Sequence, residues 1–143
     1  MKASEIMSRQ PSTTTPDATL QDAARLMKEQ DVGLIPVVDG NGSSKLVGVI
    51  TDRDIAVRVV ADGRETKGTK VSEAMSGMPQ TRRADDSVDS VMELMGKEQL
   101  RRVPIVDESG NLVGIVAQAD IVLQAKSDGK SERTIEKISR PAK

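Results

Sequence analysis

The chain repeats itself. Ser4-Glu5-Ile6-Met7-Ser8 returns as Ser72-Glu73-Ala74-Met75-Ser76, 68 residues further on. The same offset joins Pro11 to Pro79, Thr13 to Thr81, Asp17 to Asp85, Leu26-Met27 to Leu94-Met95, and Pro36-Val37-Val38-Asp39 to Pro104-Ile105-Val106-Asp107. It drops to 66 at Leu46-Val47-Gly48 against Leu112-Val113-Gly114, and at Asp54-Ile55 against Asp120-Ile121. The two-residue loss falls between Gly40 and Lys45, against Glu108 to Asn111, where a turn absorbs it. Duplication is the reading that fits, and it restricts the fold to two copies of one supersecondary unit. A length of 143 residues suits one compact domain or two small intertwined ones. A unit of roughly 55 residues has too little core to stand alone, so two are expected to pack face to face.

Each copy carries the same order of elements. Leu20, Ala23, Ala24 and Met27 follow the i, i+3, i+4, i+7 spacing of an amphipathic helix, as do Val88, Val91, Met92 and Met95. Thr19 and Ser87 stand at the N-cap positions. A β-branched strand with a proline follows (Leu34-Ile35-Pro36-Val37-Val38; Val103-Pro104-Ile105-Val106), then a Gly/Asn turn and a second strand, Leu46 to Ile50 or Leu112 to Val116. A second helix begins near Asp52 and near Gln118. The expected unit is helix, strand, strand, helix, with a short extended lead-in at Thr13–Thr15 and at Gln80–Arg82. The expected division is residues 1–66 for the first repeat with the start of its linker, 67–125 for the second, and 126–143 for a polar tail. That tail carries six basic and three acidic residues and is expected to be solvated.

Composition removes whole classes of chemistry. There is no His and no Cys, hence no Ser-His or Cys-His nucleophile, no imidazole base, no thiolate zinc site and no disulfide. With no Phe, Trp or Tyr, aliphatic side chains and methionine must fill the core, and single-stranded nucleic acid finds no stacking platform. A net charge of −1 gives no field to hold nucleic acid by its phosphates. The longest apolar runs, such as Leu46 to Ile50 and Leu112 to Ala117, are far short of the ~20 residues that cross a bilayer. The residues after Met1 lack an apolar signal core, so the expected setting is the cytoplasm.

Chemistry concentrates where the second strand meets the second helix. In Gly48-Val49-Ile50-Thr51-Asp52-Arg53-Asp54 the glycine lets something approach the backbone, and a helix start favours an anion. Thr51 and Asp54, three apart, share one side of the first turn, and a carboxylate beside a hydroxyl suits a vicinal diol such as ribose. The same letters fit Thr51 as a plain N-cap and Asp54 paired with Arg58 at i,i+4; spacing leaves both open. The second copy keeps Gly114 and Asp120 but has Ala117 in place of Thr51, so the two sites are expected to be unequal, with the Thr51/Asp54 one better equipped. Arginines gather at Arg53 and Arg58, Arg82 and Arg83, and Arg101 and Arg102, where they could bind phosphate; Arg101 and Arg102 could equally solvate a strand entrance or pair with Glu98 and Asp107.

These motifs together (Ser-Glu-x-Met-Ser, the Pro-Val/Ile-Val-Asp strand, Leu-Val-Gly-Val/Ile and Gly-x-x-Thr-x-x-Asp) resemble the CBS domain, and the pair resembles a tandem-CBS Bateman module over about residues 1–125. The resemblance implies an α/β (α+β) fold of two pseudo-symmetric repeats, each a small sheet with two helices, leaving clefts between them that take AMP, ADP, ATP, NAD or S-adenosylmethionine. It carries the ribose-binding aspartate onto Asp54 and Asp120 and the hydroxyl partner onto Thr51. The adenine cradle falls on Thr13 to Thr15, Leu34, Ile35 and Pro36, and its counterpart on Gln80 to Arg82, Arg102 and Val103. Phosphate contacts fall on Arg53, Arg101 and Arg102. It also implies a homodimer, with a separate effector protein as the output.

Three function classes follow for test. The first is a non-catalytic adenosyl-nucleotide sensor, with no catalytic cofactor and no metal. The second is a ligand-independent dimeric scaffold with vestigial clefts. The third is an enzyme holding Mg²⁺ on Asp52, Asp54 and Asp120, which lacks any accompanying base, nucleophile or P-loop. The arginines favour a phosphate-bearing ligand over cationic S-adenosylmethionine.

Overall fold

Capping and apolar spacing define the two long helices. A computed structural model describes residues 1–77 and 79–127, so most of the expected polar tail lies outside the described residues. Helix α1 (Leu20–Gln30) starts where the Thr19 hydroxyl accepts the Asp22 N–H, and buries Leu20, Ala23 and Met27. It stops at Asp31, whose left-handed backbone (φ 54°) sends its N–H to the Met27 carbonyl. Helix α3 (Val88–Glu98) is its repeat: Ser87 caps it, Val88, Val91, Leu94 and Met95 are buried, and Gln99 (φ 58°) closes it.

Strands β2 (Leu34–Val38) and β3 (Leu46–Thr51) form an antiparallel pair with Leu34 opposite Thr51. Segment 13–15 runs beside β2: Thr14 donates to the Pro36 carbonyl and accepts from the Val38 N–H. The corresponding strands of the second repeat are β6 (Arg102–Val106) and β7 (Leu112–Ala117), with β5 (Arg82–Arg83) parallel to β6. After β3 the chain makes one turn of helix α2 (Asp52–Ile55) and widens into a π turn, Ala56–Val60, with Ala61 N–H bonded to the Ala56 carbonyl. After β7 the chain enters a regular helix instead, α4 (Gln118–Ser127).

The two compact units are not the two repeats. Among the described residues one, here the Asp54 unit, comprises Ser12–Pro79 with Ser109–Leu112; the other, the Asp120 unit, comprises Met1–Pro11, Gln80–Glu108 and the chain from Val113 to Ser127. The opening segment of each repeat therefore folds with the strands of the other. In the Asp120 unit, β1 (Ser8–Arg9) pairs antiparallel with β7, giving the order β1-β7-β6-β5. In the Asp54 unit, β4 (Ser76–Gly77) pairs antiparallel with β3, giving β2-β3-β4.

The exchange is built on apolar anchors and on glycine. Val71 and Ala74, from the 3-10 turn before β4, lie in the core of the Asp54 unit with Leu20, Ile35, Val37, Ile50 and Val59. Ala3, from the turn before β1, lies in the Asp120 core with Val91, Val103, Ile105, Val116 and Ile121. A Cβ on Gly48 would come within 2.6 Å of the Ser76 carbonyl oxygen and 3.1 Å of the Met75 sulfur. One on Gly114 would meet the Met7 sulfur at 2.5 Å and the Ser8 carbonyl oxygen at 2.9 Å. What approaches the backbone at these two glycines is the exchanged segment. The fold is α+β, four α-helices and two sheets; among the described residues no helix is long and apolar enough to cross a membrane.

Candidate functional site

The turn after β3 fixes the Asp54 carboxylate through its own backbone. Asp54 Oδ2 accepts the Thr51 N–H at 3.0 Å, and the Thr51 hydroxyl accepts the Asp54 N–H at 3.0 Å. This is a reciprocal capping box, and it pins the side chain to one rotamer. The other oxygen, Oδ1, makes no hydrogen bond among the described residues and faces Arg58 Nε at 3.7 Å. The carboxylate side chain is 14% exposed and that of Arg58 53%. The Asp52 N–H closes the turn onto the Gly33 carbonyl at 2.9 Å. The capping and ion-pairing alternatives left open by spacing are thus both present. Because a carboxylate has about four lone-pair positions, they leave Oδ1 able to accept a diol.

The turn after β7 repeats half of this. Asp120 Oδ2 accepts the Ala117 N–H at 2.8 Å, and the Gln118 N–H closes onto the Arg101 carbonyl at 2.7 Å. Ala117 removes the hydroxyl that would accept the Asp120 N–H, yet the carboxylate keeps its backbone anchor. Gln124 stands where Arg58 stands in the first repeat. Asp120 forms no ion pair among the described residues.

The other expected residues divide between the units. Thr13, Thr15, Leu34, Ile35, Pro36, Thr51, Arg53 and Asp54 belong to the Asp54 unit; Arg82, Arg101, Arg102, Val103 and Asp120 belong to the Asp120 unit. Leu34 is half-buried directly across from Thr51. Ile35, Pro36 and Val103 are fully buried, Ile35 and Val103 within the two cores, so their side chains pack on protein. The Thr15 methyl lies 2.8 Å from where a Cβ on Gly40 would stand. The Arg82 guanidinium turns inward to the Ser90 hydroxyl and the Thr81 carbonyl, and Arg83 pairs with Glu108 at 3.1 Å. Arg53, Arg101 and Arg102 make no side-chain hydrogen bond or ion pair among the described residues, and so keep their donors for an anion.

Two features escaped the sequence reading. Met7 and Met75 are the fingers that close over Gly114 and Gly48; the signal was there, since each Met and each glycine recurs in its repeat. The bond from Arg58 Nη1 to the Ala74 carbonyl, 3.3 Å, joins residues 16 apart and has no signature in local spacing. Among the described residues no group of three His, Cys, Asp or Glu is placed to hold a metal ion.

Residues 3–61 and 69–126 each match the CBS domain. The chain is 42% identical over 135 residues to CBS domain-containing protein YhcV of Bacillus subtilis, covering 94% of this chain and 93% of that one. It is 33% identical over 119 residues to hypoxic response protein 1 of Mycobacterium tuberculosis, covering 83% and 81%. Among solved structures it resembles CBSX2 of Arabidopsis thaliana in complex with AMP (TM-score 0.78, 25% identity, 90% of this chain and 98% of that one). It also resembles the CBS domain pair of MJ0100 in complex with 5′-methylthioadenosine and S-adenosyl-L-methionine (TM-score 0.78, 30% identity, 90% and 98%). Two repeats with one carboxylate-bearing turn apiece, and two matches to one domain, place this chain in the CBS-domain family as a tandem CBS pair.

Proposed function

We propose that this protein is a non-catalytic regulatory module that binds an adenosyl nucleotide (AMP, ADP, ATP or NAD) and reports energy or stress state to an effector protein, acting as a homodimer. One observation carries the reading. In both units a backbone N–H holds one oxygen of an aspartate, Asp54 or Asp120, and among the described residues the other oxygen accepts no hydrogen bond, the arrangement a ribose diol needs. Arg53, Arg101 and Arg102 supply guanidinium groups that are unpaired among the described residues and suited to phosphate. The adenosyl compounds held by the CBSX2 and MJ0100 structures support the same ligand class. Without His or Cys, the chain has no ordinary nucleophile–base pair with which to process what it binds.

Calorimetry with AMP, ADP, ATP, NAD and S-adenosylmethionine tests this, alongside native mass spectrometry for a retained nucleotide and a dimer mass. Saturable binding of at least one phosphate-bearing compound is expected. Asp54→Asn keeps a carbonyl oxygen for the Thr51 N–H but loses the charge, and is expected to weaken binding roughly tenfold. Silence across the panel, or unchanged affinity in both Asp54→Asn and Asp120→Asn, would overturn the proposal.

One observation favours a second reading, a ligand-independent dimeric scaffold. Asp54 already has a structural occupation, since it caps its helix and faces Arg58. A dimer that binds no member of the panel is the outcome that selects it.

A further inference from the structure

We propose that Arg58 is a positioning residue that competes internally for Asp54, so that a diol arriving at Asp54 is felt at the exchanged strand β4. The proposal rests on the nucleotide-binding reading above. Arg58 touches two things at once. Its Nε faces Oδ1 of Asp54 at 3.7 Å, the oxygen left open by the capping box, and its Nη1 donates to the Ala74 carbonyl at 3.3 Å. Ala74 is fully buried; it precedes Met75, which closes over Gly48, and Ser76, which starts β4. One guanidinium therefore links the diol-accepting oxygen to the anchor of the exchanged segment.

The strand that follows this anchor is short. Strand β4 is two residues long and, among the described residues, pairs with β3 through Gly48–Gly77 and Val49–Ser76. Segments held by so few contacts open locally at low free energy. Hydroxyls donating to Oδ1 occupy the space in front of that oxygen and draw off its charge. Arg58 then turns away, the Ala74 carbonyl loses its donor, and β4 opens more often. A ligand shifts this equilibrium only because it binds better when Arg58 is away. The second repeat supplies an internal control, because Gln124 replaces Arg58, Asp120 has no ion pair among the described residues, and α4 lacks the π turn.

The test is amide hydrogen exchange by mass spectrometry on the full chain, with AMP and with 2′,3′-dideoxy-AMP, each titrated in parallel by calorimetry. AMP is expected to speed exchange at Ser76 and Gly77 about twofold to fivefold, the factor that matches a half-exposed ion pair. The dideoxy compound is expected to leave it unchanged, and Ser8 and Arg9 are expected to respond to neither. In Arg58→Gln, exchange at β4 is already raised without ligand, AMP no longer alters it, and AMP binds about twofold to fivefold tighter. A residue with a merely structural role would not raise affinity. The proposal is overturned if AMP binds and β4 exchange is constant or slower, if the dideoxy compound acts equally, or if Arg58→Gln still responds. Absence of AMP binding in the titration overturns this proposal, and only silence across the whole panel removes the underlying reading; both are seen separately from the exchange data.

Discussion

The Asp54 and Asp120 turns have the same backbone geometry and different surroundings. In each, a strand ends, an aspartate three residues on accepts the N–H of the last strand residue, and the next N–H closes onto the carbonyl before the neighbouring strand. Around Asp54 there is a threonine hydroxyl, a facing arginine and a π turn; around Asp120 there is an alanine, a glutamine and a regular helix. Position 33 is glycine and position 34 leucine beside the first turn, where the second has Arg101 and Arg102. The better-equipped turn by sequence is therefore also the one whose carboxylate faces an arginine, and the other turn is flanked by two arginines that form no ion pair among the described residues. Duplication fixed the backbone device, and divergence acted on the side chains that decide what else the carboxylate touches.

The sharpest way to break the comparison is at the glycines, which ask whether the exchanged segments matter equally in both units. At Gly48 the nearest obstruction to a Cβ is backbone, the Ser76 carbonyl oxygen at 2.6 Å, which cannot move without shifting β4. At Gly114 the nearest is the Met7 sulfur at 2.5 Å, the end of a flexible side chain, with the Ser8 carbonyl behind it at 2.9 Å. Overpacking of this kind costs about 1–3 kcal/mol. Gly48→Ala is expected near the top of that range and Gly114→Ala near the bottom, measured by urea denaturation. Equal losses would mean that Met7 is as immobile as backbone. No loss at Gly48 would mean that the exchanged strand is not held against β3.

These glycines also mark where sequence stopped being informative. The helices were legible because Thr19, Ser87 and the apolar positions act within a few residues of one another. The Asp54 turn was legible for the same reason, down to its two competing local partners. The partition into units was not, because nothing in Ser4 to Ser8 says which repeat's strand those residues will pair with. Burial of Ile35, Pro36 and Val103 was only partly legible: a short continuous apolar run fits a strand buried on both faces, but periodicity alone does not tell it from a buried helix. The occupants of Gly48 and Gly114, and the reach of Arg58 to Ala74, depend on contacts made across the chain.

A smaller effect sharpens the comparison at position 51 against 117. Thr51→Ala removes the acceptor for the Asp54 N–H and is expected to cost about 1 kcal/mol. Ala117→Thr supplies the missing acceptor for the Asp120 N–H and is expected to recover a few tenths to about 1 kcal/mol. The reciprocal pair, followed by thermal unfolding, should bring the two turns toward each other. A destabilising Ala117→Thr would show that the hydroxyl has no room there, and that the second turn diverged in packing as well as in hydrogen bonding.

The smallest expected effect concerns acid, and it separates the two exchanged segments. Glu73, in the 3-10 turn before β4, accepts the Lys70 N–H at 2.7 Å and pairs with Arg64. The Lys70 backbone bond, aided by the Arg64 guanidinium, holds its carboxyl below the ordinary value of 4.5. A carboxyl lowered on folding stabilises the native state above its unfolded value, and that contribution fades as pH falls through the folded value. The Tm difference between the natural chain and Glu73→Gln should therefore be largest near neutral pH, shrink below about pH 4.5, and vanish in stronger acid. Glu5 is the repeat counterpart and accepts the Lys2 N–H in the same way, with no arginine paired to it among the described residues. Arg64→Gln should consequently reproduce only part of the Glu73 effect, and that part should disappear at high salt, as expected for an exposed pair. A pH-independent difference for Glu73→Gln would mean that the glutamate acts through its shape and not its charge.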